Sequence, residues 1–134
     1  MRHVTKALLG LLMLALLPVT GCQKKLNEEK NYTLLEGEVK ALQMDEQPKD
    51  QRITITVTAT GSPINLHVVK ESGHAAAMEA LQFNAKLDPA IVIESKSKIQ
   101  SETLVVTVPA KTGFSVMISG AKKKTDVNLK VTNR

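Results

Sequence analysis

From Tyr32 onward, apolar and polar residues alternate with a period of two. The clearest run is QRITITVTAT at residues 51–60. Ile53, Ile55, Val57 and Ala59 fall on one side and Thr54, Thr56, Thr58 and Thr60 on the other. This pattern predicts a half-buried strand with a threonine outer face. Gly61-Ser62-Pro63 is a turn signal. Beyond it, Ile64, Leu66 and Val68 alternate with Asn65, His67 and Val69, and the short link predicts a hairpin. Residues 90–94 and 103–108, and the runs led by Phe114 and by Val127, predict four further strands. Residues 32–35 and 38–44 predict two weaker ones around Gly37. One segment breaks the period. Residues 74–83 (HAAAMEALQF) are alanine-rich and free of β-branching, and they predict a short helix. Ser72 is placed to cap it, and Ala77, Met78 and Leu81 to cover one end of the sheets.

Seven or eight short strands, spaced by Gly or Pro and joined by one helix, predict a mainly β domain. The expected architecture is an antiparallel β-sandwich over residues 31–134. A single helix leaves no room for doubly wound α/β architecture. Two stretches carry a family likeness. Ser62-Pro63-Ile64-Asn65-Leu66-His67-Val68-Val69 with Ser72-Gly73 is one, and the closing hairpin Phe114-Ser115-Val116-Met117-Ile118-Ser119-Gly120 with residues 125–132 is the other. Together they resemble pre-peptidase C-terminal domains and, more distantly, GOLD-like sandwiches. The resemblance implies the sandwich and nothing about a site, because the aspartates and tyrosines of those hairpins are missing here.

The N-terminus follows a different rule. Arg2 and Lys6 lie before an uncharged apolar run at residues 7–17 (ALLGLLMLALL), and small residues then lead to Cys22. Those are the parts of an export signal. At about 1.5 Å per residue the run reaches roughly 16 Å, about half of a bilayer core near 30 Å. Val19-Thr20-Gly21-Cys22 resembles the lipobox of bacterial lipoproteins. The resemblance implies a signal peptide over residues 1–21, cleavage before Cys22, and a diacylglyceryl thioether on its sulfur. A thiolate suits such alkyl transfer. Two or three acyl chains, at about 0.8 kcal/mol per buried methylene, anchor durably where one does not. Gln23 after the cysteine points to the outer membrane under the enteric sorting rule. Residues 22–30 then read as the lipidated cysteine and a polar tether, with Lys24 and Lys25 near the headgroups.

Composition narrows the chemistry. The chain has 134 residues, 18 basic and 13 acidic, one cysteine, no tryptophan, one tyrosine and two phenylalanines. One cysteine excludes an internal disulfide and a multi-cysteine zinc site. Losing residues 1–21 removes Arg2, Lys6 and no acidic residue, so the formal charge of +5 overstates how basic the exported domain is. His67 and His74 lack partners at metal-ligand spacing, although Glu71 is near. Ser72-Gly73-His74 reads as a turn into the helix, and no Gly-x-Ser-x-Gly elbow occurs. Asp45, Glu46 and Asp50 lack the alternating ligands of a calcium loop. Lys122-Lys123-Lys124 reads as a solubilising hairpin tip that blunts edge pairing, at the other end of a strand from Lys111. Few aromatics and an export signal argue against nucleic acid. No catalytic set, cofactor or metal site is expected. The expected function is a non-enzymatic, lipid-anchored envelope module with membrane lipid and an envelope protein as partners. The alternative is a small-ligand or ion carrier with a pocket near His67, His74 and Met78.

Overall fold

A computed structural model describes residues 25–133. The strands are β1 (Asn27–Leu34), β2 (Lys40–Met44), β3 (Gln51–Thr60), β4 (Ile64–Lys70), β5 (Val92–Ile99), β6 (Ser101–Val108), β7 (Phe114–Ser119) and β8 (Thr125–Thr132). A 3-10 turn at Glu71–Gly73 leads into the helix α1 (His74–Gln82) between β4 and β5. The strands form two four-stranded sheets, ordered β1-β8-β3-β6 and β2-β7-β4-β5. The expected antiparallel β-sandwich with one short helix is what the described residues form.

The winding has a simple logic. β1 pairs with β8, β2 with β7, β3 with β6 and β4 with β5, all antiparallel. The chain is therefore one long hairpin with α1 at its tip. That hairpin is wrapped so that β8 also pairs with β3, and β7 with β4. These orders are those of an eight-stranded jelly roll. The inner faces meet in one cluster. Ile53, Ile55 and Val57 of β3 and Leu129 and Val131 of β8 are fully buried with Leu66, Val68, Val116 and Ile118 of the facing sheet. Truncating one of the isoleucines or leucines among these to alanine removes about 2–5 kcal/mol of stability. The core and every ladder partner lie within residues 26–133.

The winding corrects the expected hairpins. β3 and β4 lie in different sheets, as do β7 and β8, so Gly61-Ser62-Pro63 and residues 120–124 are arches that cross the sandwich. Buried hydroxyls lock the two arches together. Thr125 Oγ1 donates to Lys123 O at 2.8 Å and accepts from Ser62 N at 3.0 Å. Its one hydrogen is thereby used, so the 3.0 Å contact between the two hydroxyls is donated by Ser62 Oγ. Ser62 Oγ in turn accepts from Lys122 N at 3.0 Å. Gly61 sits at φ +136°, and a Cβ there would lie 2.9 Å from Thr125 Oγ1 and 3.0 Å from Lys124 O. Only glycine fits both the angle and the space. The Lys122–Lys124 tip is thus a braced crossover between sheets.

The other end of the sandwich is tied separately. Ala110 N donates to Asp50 Oδ1 at 2.7 Å, and Lys111 N to Gln47 O at 2.6 Å. Leu26 N donates to Asn133 Oδ1 at 2.9 Å, which joins the two ends of the described chain. The fold therefore closes at Leu26. Residues 27–30, read from the sequence as tether, belong to β1 and pair with residues 129–132 of β8. They resembled a linker because β1 is an edge strand whose first five side chains are all exposed. Backbone ladder bonds hold such a strand without an apolar signature. β5 likewise runs on to Ile99, past the expected 90–94, through exposed charged residues on the other sheet's edge.

Candidate functional site

Helix α1 lies on the outer face of the β2-β7-β4-β5 sheet, not over an end of the sandwich. Every residue of β7 is buried. Phe114, Val116 and Ile118 point into the sandwich, and Ser115, Met117 and Ser119 point outward beneath cover. The covering cluster is Val69, Met117 and Ala77, with Met78, Leu81, Leu87, Ile91 and Val92 packed around it. Nine residues are too few for a helix to persist alone in water, so this contact is what holds α1.

Polar ties fix the helix start. His74, its first residue, shares a 2.8 Å hydrogen bond between Nδ1 and Ser115 Oγ, whose residue is fully buried. Ser72 does not cap the helix. The N-cap is Gly73, with no side-chain cap bond. Capping geometry is given up there for close approach, since a Cβ on Gly73 would fall 2.5 Å from Ile91 Cβ. His74 therefore anchors helix to sheet through Ser115.

The cover is incomplete. α1 shields β7 and the end of β4 around Val69. After Gln82 the chain turns away and returns through residues 83–91 to β5. Between that return and the outward side chains of β4 and β5 lies an open groove of about 500 Å³. Its floor carries Asn65 and His67 of β4 and Ser95 of β5, and Leu81, Leu87 and Pro89 form its walls. His67 and Ser95 stand opposite each other in register. His67 Nδ1 meets Ser95 Oγ at 2.8 Å. Burial pushes the His67 imidazole below its ordinary value, so the ring is neutral near pH 7. Lys86 is the one charged side chain among the groove's lining residues.

The sequence-based candidates fare differently. His67 lines the groove. His74 and Met78 do not: the first is engaged with Ser115 and the second packs under the helix. Asp50 braces a loop through Ala110. Glu71 folds against Gly113, whose carbonyl accepts its backbone N–H at 2.9 Å. Among the described residues, no three His, Cys, Asp or Glu side chains gather as metal ligands would, and no helix is long and apolar enough to cross a membrane. Cys22, the expected lipidation site, lies outside the described residues. Asn65, Ser95, Lys86 and Leu87 were not singled out from the sequence. Asn65, Ser95 and Lys86 carry only the ordinary polar signature of a surface.

No protein-family model matches the chain, and no curated protein sequence does. Solved structures show a distant likeness to it. One is a periplasmic inhibitor of g-type lysozyme, PliG of Aeromonas hydrophila, at 13% identity and TM-score 0.45, covering 83% of this chain and 87% of that one. Another is the carbohydrate-binding module CBM36, in complex with calcium and xylotriose, at 6% identity and TM-score 0.36, covering 84% and 92%. At those values neither protein's binding partner transfers to this chain.

Proposed function

We propose that this protein is a lipid-anchored, non-enzymatic binding module of the bacterial cell envelope, held at the outer membrane through acylated Cys22. The observation that carries the reading is the pairing of Val19-Thr20-Gly21-Cys22, behind its apolar run, with a fold that closes at Leu26. Four residue steps separate anchor from fold, a reach of roughly 14 Å at full extension. The end of the sandwich bearing Leu26, Asn133 and the Asp50–Ala110 tie is then the membrane-facing end. The arches at Gly61 and Lys122–Lys124 face away, along with the helix end at Phe83, which is 76% exposed. A protein partner in the envelope meets the module from that side. Cell fractionation tests the anchor. Wild-type protein is expected in the membrane fraction, and the Cys22→Ser variant is expected to lose the acylated, cleaved form. Equal, tight membrane association of the two, with the same mobility, would overturn the reading.

A second reading has its own support, which is the groove. A mixed polar and apolar concavity of this volume falls within the range used by small-molecule sites. It favours a module that also carries a small ligand.

A further inference from the structure

We propose that the groove between β4, β5 and the 83–91 return binds an aliphatic monocarboxylate, with its headgroup between His67 and Lys86 and its chain along Leu81, Leu87 and Pro89. The inference rests on the reading of the groove as a ligand site and is independent of lipidation.

His67 Nδ1 is occupied by Ser95 Oγ at 2.8 Å. When the serine hydroxyl donates to Nδ1, the ring hydrogen resides on Nε2. Nε2 is then a neutral donor in a partly desolvated place, where hydrogen bonds gain strength. One carboxylate oxygen can accept it. Lys86 supplies a single positive charge, which balances a monoanion and leaves a dianion under-compensated. Its ammonium on a flexible stem acts as a point charge and demands no fixed geometry. Apart from Asn84, the remaining walls are aliphatic and proline side chains with no aromatic platform, which suits a methylene chain better than a sugar or a nucleobase. Asn65 Oδ1 receives Lys98 N at 3.1 Å, so any help it gives a carboxylate comes from its Nδ2 as a further neutral donor. The charge recognition falls on Lys86, with His67 as a neutral donor on the floor.

Octanoate, octylammonium and octanol test this against the protein from Gln23 onward, which contains the whole core. That chain has only two histidines, His67 and His74, so histidine ring resonances in NMR separate the groove from the helix anchor. Octanoate is expected to shift the His67 resonances with a Kd of about 1 mM, fitting a ligand of this size, and to leave His74 in place. Lys86→Glu, an exposed position, is expected to weaken octanoate about tenfold and to spare the fold. If octanol and octylammonium shift His67 as strongly as octanoate, or Lys86→Glu leaves octanoate unchanged, the carboxylate class is wrong while the groove reading stands. If none of the three moves His67, both are wrong.

Discussion

His67 and His74 look alike in the sequence, each a lone imidazole on an otherwise unremarked segment, and the fold gives them opposite roles. His74 is spent on Ser115 and holds a helix. His67 sits on the groove floor, and burial lowers its tendency to take a proton. That shift has a sign. The unfolded chain binds a proton near the ordinary value of 6.5, and the folded chain resists it until a lower pH. The stability linked to His67 is therefore complete above about pH 6.5 and is lost as pH falls through the folded value. Thermal melts of wild type and His67→Gln at pH 7.5 and pH 5 check this. The wild type should lose more stability on acidification than the variant, and equal losses would show that the ring is not held neutral. The alternation pattern placed His67 on an outward face, which was correct. It did not reveal that residues 83–91 fold back over that face, because the return loop has no period to read.

At the scale of elements, the faces of the strands were legible and their neighbours were not. Ile53, Ile55 and Val57 announce an inner face through alternation alone. A three-residue link such as Gly61-Ser62-Pro63 closes either a hairpin or an arch. What decides between them is Thr125, 63 residues away in sequence from Ser62. β1 was half missed for a related reason: an edge strand needs little apolar content. The helix was read correctly as an element and misplaced in space. FSVMIS in β7 held the clue, since small or apolar residues at every position mean burial on both faces. Met117 is the centre of that second contact and is fully buried. Met117→Ala is expected to cost about 2–5 kcal/mol in denaturant unfolding and to expose residues 83–91 to limited proteolysis. Unchanged stability, with the loop still resistant, would mean α1 is held by something other than the outer-face cluster.

The whole molecule is a long hairpin wound into two sheets, with its ends tied at Leu26 and Asn133 and its tip elaborated into α1 and the return loop. That plan separates two tasks. One end of the sandwich brings together Leu26 and Asn133, the two ends of the described residues, and is the natural place for the proposed anchor. The outer face of one sheet gains a helix and a groove, while the outer face of the other keeps the threonine row of β3 foreseen from the sequence. The proposed anchor rests on the lipobox resemblance, a local chemical signal that needs no fold to read. The jelly-roll order was not legible, because it depends on pairings between the two ends of the chain. Attachment of this domain to a membrane depends on the covalent state of residue 22. The most direct measurement is the intact mass of protein extracted from its own membranes, with fragmentation of the N-terminal peptide. The account predicts a chain that begins at Cys22 and carries a diacylglyceryl group on its sulfur. A chain that retains residues 1–21, or one with an unmodified Cys22 thiol, would contradict it.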